Sequence, residues 1–508
     1  MSVADLRSAA LRGLRLTVIS RPIIEVVLFA SMVVLARLIP PGEFGRYAVA
    51  LFVTQLLWVP SNGIGTALVQ RPNGGTREYL QTGFAMCIVL AVVLAAFTLL
   101  AATFIVAPIF GERTAVLVRL LTLAVPMTAP LTVSTAILGR RLAFRTQSVI
   151  QVIYIVVSGV AQVGLAFAGL NAKALVIGGL AGGLVSTILT CACAPPPLPR
   201  LRLGIAKDLW SVGWPAALSA VSWAAFSNCD YAIVGARLGP VQAGYYFRAY
   251  TLGVDYQRKI SQVLPNMGFP LLARASGSDD RDALLRRMVR LITLLLFPGL
   301  ALLAILAPQL VPLVYGPRWT PTVAPTQIIV IAGAAMIVVD ATMSALMAAG
   351  RSRVLLSFCA SHFVVYAVAV FFVAPYGISA VAGAAVVVHG LFMAVSYVLV
   401  LHRREDEHSA TIAGALGHLV SDLAPSLVGC AALMAAAVGM SLIADAVHAP
   451  SLVRLAIMSL AGVIAYLATL RVLYPTSLRT LRNLFVHLIP RRPLRLVTRL
   501  TPQGSAGS

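Results

Sequence analysis

Apolar runs of about 20 residues, repeated from end to end, constrain this chain more than any other feature. They begin near residues 18, 47, 81, 115, 147, 173, 210, 243, 289, 323, 355, 377, 423 and 453. A run of that length crosses a bilayer as a helix, so about fourteen transmembrane helices are predicted. Of the 508 residues, 59% are hydrophobic and only 11% are charged, whereas a soluble domain carries about a quarter charged. An ordinary soluble enzyme is therefore excluded, and so is a disordered or fibrous chain. The expected fold class is an all-α polytopic membrane protein.

The net charge of +22 would suggest nucleic acid in a soluble protein. Here it reads as membrane orientation and attraction to anionic lipid, with no nucleic-acid partner. Alternate connections hold Arg7, Arg12, Arg15; Arg71, Arg77; Arg140, Arg141, Arg145; Arg200, Arg202, Lys207. The series continues through Arg274, Arg281, Arg286, Arg287, Arg290; Arg351, Arg353; Arg403, Arg404; and a tail from Arg471 to Arg499. The intervening connections hold little beyond Arg37, Arg46, Arg113, Lys173, Arg237 and Arg318. This alternation predicts an even number of spans with both termini cytoplasmic. The first apolar stretch has no small-residue cleavage site and is expected to be retained as the first span. The connections are short, and Asp279–Asp282 and Arg403–Glu407 read as solvated loops. The six cysteines, at 87, 191, 193, 229, 359 and 430, lie in apolar runs and read as buried thiols.

An internal repeat organises the spans. Ala36-Arg37-Leu38-Ile39-Pro40 followed by Gly45 returns as Ala236-Arg237-Leu238-Gly239-Pro240 followed by Gly244. Each copy should end a helix with arginine at its negative end, stop it with proline and restart it at glycine. Gly139-Arg140-Arg141 and Gly350-Arg351-Ser352-Arg353 match in the same way. The expected organisation is two pseudo-symmetric six-helix bundles, 1–194 and 210–401, joined by a linker at 195–209 that contains Pro195, Pro196 and Pro197. Two additional transmembrane helices at 402–474 and a basic cytoplasmic tail at 475–508 complete it. Parallel repeats of this kind place a substrate cavity between the halves.

The stretch Leu35 to Tyr47 (LARLIPPGEFGRY) resembles the opening signature of Wzx-type polysaccharide flippases. So does Asp230 to Gly239 (DYAIVGARLG) followed by Ala243 to Tyr246 (AGYY). These flippases belong to the multidrug/oligosaccharidyl-lipid/polysaccharide exporter superfamily. The resemblance implies a V-shaped pair of bundles in the bacterial inner membrane. It also implies movement of undecaprenyl-diphosphate-linked oligosaccharide repeat units for exopolysaccharide, capsule or O-antigen (lipopolysaccharide) synthesis. Membrane lipids, and a polymerase and chain-length proteins of the same pathway, are the partners it suggests. The first span departs from the pattern by carrying Arg21, Pro22 and Glu25.

An ionisable side chain inside a bilayer costs a few kcal/mol, so each needs a reason. Asp255, Arg258 and Lys259 stand at i, i+3 and i+4 on the eighth span and share one face. That face is expected to line a wet cavity, with Arg258 and Lys259 neutralising a diphosphate; an intramembrane salt bridge is the plainer reading. Arg21 and Glu25, also i, i+4, are weaker cavity candidates. Asp230 reads as a proton or sodium site or as a partner for Arg237 or Arg248, and Asp340 as a second titrating acid. His362 and His389 read as hydrogen-bonding groups within the bundle. Tyr246, Tyr250 and Tyr256 read as sugar-stacking residues or interfacial anchors.

No phosphate-binding G-x-x-x-x-G-K-[ST] motif, H-E-x-x-H motif or nucleophile elbow occurs in the sequence, so no cofactor, metal site or catalytic residue is expected. Energy would come from an ion gradient, the membrane potential or the substrate's own consumption. Two alternatives remain open at this level. One is a cation-coupled multidrug-type antiporter, which would favour an acidic and aromatic cavity. The other is a membrane polysaccharide polymerase or ligase, which would need a substantial external loop.

Overall fold

The computed structural model describes residues 25, 27–58, 61–255, 278–349, 351–402, 411–446, 448 and 450–479. Helices α1 (Val27–Leu38), α2 (Pro41–Trp58), α3 (Ser61–Gln70), α4 (Arg77–Phe110), α5 (Glu112–Arg140), α6 (Phe144–Phe167) and α7 (Ala172–Cys193) form the N-terminal bundle. Extended chain at 195–202 leads into α8 (Leu203–Tyr250). Then come α9 (Ser278–Tyr315), α10 (Val323–Ala348), α11 (Ser352–Val373) and α12 (Ile378–Leu401) of the second bundle. The extra pair is α13 (Ile412–Ala446) and α14 (Ser451–Leu473). The described residues contain no strand.

Ten described helices are long and apolar enough to cross a membrane. The expected spans near 18, 47, 210 and 243 fall outside that set and coincide with α1, with α2 and α3, and with the two limbs of α8. The spans near 18 and 243 fall only partly on the described residues, and the other two are less apolar: α8 carries Asp208, Asn228, Asp230, Arg237 and Arg248. These less apolar elements face the interior, whereas α4 turns Val92, Phe97 and Phe104 outward at 64%, 53% and 72% exposure. Apolar surface on that scale is suited to hydrocarbon and not to water. At the other extreme, α10 is buried on nearly all sides and forms the axis of the second bundle, as expected of a helix that is apolar all round.

The repeat is visible in the backbone. The first break, at 39–40, is followed by Pro41 as the first residue of α2. The second bends α8 at Gly239, whose φ of 81° lies in the left-handed region, and Pro240 follows. Proline, not glycine, therefore restarts each helix, because its fixed φ suits the first turn and its missing N–H is not needed there. The glycines one turn later have another task. A Cβ on Gly45 would overlap the Pro240 carbonyl and lie 2.7 Å from the Gly244 nitrogen, and a Cβ on Gly244 would overlap the Pro41 carbonyl. The two copies of the motif thus pack on each other at the crossing of the bundles.

The added helices are fastened by a buried charge. Asp422 of α13, fully buried, accepts hydrogen bonds from Arg286 Nε at 2.8 Å, Arg290 Nη2 at 2.6 Å and Tyr397 Oη at 2.6 Å. Tyr466 of α14 adds a bond to the Leu294 carbonyl at 2.8 Å. Arg286 and Arg290 therefore belong to α9 and not to a connection, and Asp280, Arg281 and Asp282 lie in its first turns instead of in a loop. The expectation of uniformly buried thiols also needs correction: Cys87, Cys229 and Cys430 are buried, Cys191 and Cys359 are half-buried, and Cys193 is exposed at the end of α7.

Candidate functional site: a cavity between the bundles

A cavity of about 870 Å³ lies where α1, α2, α6 and α7 of the first bundle face α8 of the second. Its apolar wall includes Leu35, Leu51, Phe52 and Ile155; its polar wall includes Ser31, Gln55, Ser158, Gln162, Ser227 and Asn228. Among the described lining residues, the charged ones are Arg248 and Asp255. Asn228 donates to Gln55 Oε1 across the gap at 3.4 Å. Such a surface can hold an amphipathic solute: hydroxyl and amide groups for sugars and apolar stretches for a chain.

Arg248 is held by aromatic rings from both bundles. Its guanidinium carbon lies 4.0 Å from the Phe44 ring centroid, 5.4 Å from Trp319 and 5.5 Å from Tyr315. Ring faces attract a cation, so Arg248, 1% exposed, is fixed against the cavity wall. Sequence reading considered Arg248 only as a partner for Asp230. The signal it lacked was spatial, since Phe44 and Tyr315 come from helices far apart in the chain.

Contacts between the bundles fall into two groups. At the Pro41/Pro240 end the bonds are reciprocal. Arg37 donates to the carbonyls of Val314 at 3.0 Å and Leu313 at 2.7 Å, while Arg318 and Trp319 Nε1 donate to the Ala36 carbonyl at 2.7 and 2.8 Å. The repeat equivalent Arg237 instead lies 3.9 Å over the Phe371 ring. At the other end Arg71 pairs with Asp208 at 2.7 Å and donates to Ser211 Oγ at 2.8 Å. Arg140 and Arg351, matched in sequence, both cover helix-end carbonyls: Arg140 those of Leu68 and Val69, Arg351 that of Leu399.

Residues 34–324 match the sequence model of a family described as polysaccharide biosynthesis protein. The chain belongs to that family. Two relatives are each 25% identical to it. One is an uncharacterized membrane protein in the cps region of Klebsiella pneumoniae, aligned over 364 residues, 70% of this chain and 74% of that protein. The other is the lipopolysaccharide biosynthesis protein WzxC of Escherichia coli K12, aligned over 362 residues, 70% and 72%. In fold the chain is similar to the lipid II flippase MurJ in an inward closed conformation. The TM-score is 0.69 at 12% identity, covering 91% of this chain and 99% of that one. An inward-facing multidrug resistance MATE family transporter of the MOP superfamily superposes with a TM-score of 0.58 at 13% identity, covering 74% and 93%.

In this polysaccharide biosynthesis protein the sequence-derived candidates separate. Asp255 is in the cavity wall, and half-buried Glu25 begins the described part of the first span. Arg21, Arg258, Lys259 and Tyr256 lie outside the described residues. Asp230 is not in the cavity wall. It is fully buried in the second bundle, where Tyr246 and Tyr366 both donate to Oδ2 at 2.8 Å and the Tyr231 N–H donates to Oδ1 at 3.0 Å. Its hydrogen-bond partners are therefore phenols and a backbone amide, and neither Arg237 nor Arg248. Tyr246 and Tyr250, at 0% and 2% exposure, pack in the same core and cannot stack on a solute or anchor at an interface. Asp340 is also buried, on α10.

Proposed function

We propose that this protein moves undecaprenyl-diphosphate-linked oligosaccharide repeat units across the bacterial inner membrane for exopolysaccharide, capsule or O-antigen synthesis. It acts as a transporter, by alternating access of its two bundles around a cationic cavity, and not as an enzyme. The observation that carries this reading is the mixed polar and apolar cavity between the bundles, with the guanidinium of Arg248 held at its wall. Family membership and the flippase-like fold support it.

Arg258 and Lys259, three and four residues beyond Asp255 in sequence, supply the further positive charge that a diphosphate requires. The bundles, assigned to 1–194 and 210–401, exchange their end contacts as the cavity opens to one side and then the other. Both termini face the cytoplasm. Asp230 and Asp340 are the acids assigned to ion coupling. Lipids and the polymerase and chain-length proteins of the same route are the working partners.

The test is genetic. Deleting the gene should stop polymeric polysaccharide while lipid-linked units accumulate on the cytoplasmic leaflet. Units that instead reach the outer leaflet unpolymerised would identify a polymerase or ligase.

A further inference from the structure

His362 of α11 and His389 of α12 are each 1% exposed, and His362 Nε2 lies 3.0 Å from His389 Nδ1. The pair is enclosed by rings. The His362 imidazole stacks on Phe392 at 4.1 Å, and Phe226 lies 4.2 Å from it. His389 lies 4.7 Å from the ring of Tyr366, whose hydroxyl donates to Asp230. Imidazole, phenol and carboxylate thus form a continuous buried cluster linking α8, α11 and α12.

We propose that His362 and His389 together form a binding site for a single proton, linked through Tyr366 to Asp230, and that this proton is the coupling ion of the transport cycle. The second clause rests on the transport reading; the first does not. In the neutral pair one ring N–H donates to the other ring's lone pair. A proton arriving from water converts one ring to imidazolium and strengthens that bond through charge. A second proton would turn both facing nitrogens into donors and set two cations at contact distance among phenylalanines, so the capacity is one.

The ionisable groups around the pair fit a proton. Tyr366 and Cys359 stand on α11, and Asp230, Tyr246 and Cys229 stand on α8. Asp340 stands on α10, the helix against which α12 packs. Asp230 is the carboxyl of the cluster, and its oxygens already accept O–H and N–H donors. Sodium instead demands several free oxygen ligands. Among the described residues no three His, Cys, Asp or Glu side chains converge as metal ligands.

The experiment counts protons on the whole protein in lipid nanodiscs, shifted from about pH 8 to about pH 5 in weak buffer, the range in which histidine titrates. Wild type should take up one proton more than the double variant His362→Gln/His389→Gln; a difference of zero or two overturns the shared site. Should the variant fold poorly, histidine-labelled wild type read by nitrogen-15 solid-state NMR gives the same answer. One imidazolium hydrogen-bonded to one neutral ring at the acid end supports the site, and none or two overturns it. At unchanged membrane abundance the double variant should lower polysaccharide export by about ten-fold or more. A count of one with export unchanged overturns the coupling role and leaves the transport reading standing. Export unaffected by deletion of the gene overturns that reading, while the proton count still decides the site.

Discussion

Gly45 and Gly244 occupy equivalent positions in the two copies of the repeat and face each other where the bundles cross. A Cβ on either would overlap the other bundle's backbone, at Pro240 or at Pro41. Small residues of this kind let membrane helices approach until their backbones touch. The seam is therefore made by the same motif twice, and each copy is the other's binding surface.

Alanine at either position should force the bundles apart at this end, so Gly45→Ala and Gly244→Ala should each abolish export. Gly42→Ala is the control. Its Cβ would come only to 3.2 Å from the tip of Val241, a side chain that can turn aside, and most export should remain. Export measured beside membrane abundance checks the contrast, and equal effects at Gly42 and Gly45 would contradict it.

A second prediction concerns the cationic wall. Arg248→Ala removes a charge that can bond an anion, an interaction of about 1.5–3 kcal/mol and so about ten-fold or more in affinity. Arg248→Lys should retain part of the export, because ammonium keeps the charge and loses the planar face that lies on Phe44. Arg258→Ala and Arg258→Lys should rank in the same order. In the double variant Asp255→Asn/Arg258→Gln, normal abundance with lost export supports a substrate role. Recovered export would assign the pair to a salt bridge.

Asp422 should behave differently, since its role is to fasten α13. Asp422→Ala leaves the buried Tyr397 hydroxyl and two arginines without their shared acceptor. The arginine side chains are 29% and 39% exposed, so water recovers part of the loss, and about 2 kcal/mol of destabilisation is expected. A lower melting temperature, with export falling only in proportion to abundance, is the expected result.

The orientation prediction is independent of mechanism. Reporter fusions after Arg145 and Arg479 should report cytoplasm, and a fusion after Gly316 the opposite side. A reversed signal at any of them would break the arginine alternation.

Much of the fold was legible because a bilayer leaves a chain few choices: apolar length sets the spans and punctuation sets the repeat. The central helices α2, α3 and α8 are less apolar, yet run length alone still marks them in the sequence. The site was less legible. Asp422 lies 132 and 136 residues from Arg290 and Arg286, which had been assigned to a loop. The available signal was an acid at the head of the apolar run of α13, which needs a partner somewhere. Asp230 stands out in the sequence as an intramembrane acid, yet spacing cannot single out phenols 16 and 136 residues away over arginines 7 and 18 residues away. The aromatic cage of Arg248 assembles only when both bundles are in place.

The most direct measurement reconstitutes the purified protein into liposomes with a fluorescent undecaprenyl-diphosphate oligosaccharide in both leaflets and follows its access to an external, membrane-impermeant quencher. Protein-free liposomes should protect the inner-leaflet half for the whole experiment. Liposomes with wild-type protein should lose that protection, and those with Gly45→Ala should keep it. Protection that persists with correctly inserted wild-type protein, in both the presence and the absence of a pH gradient, would contradict the account.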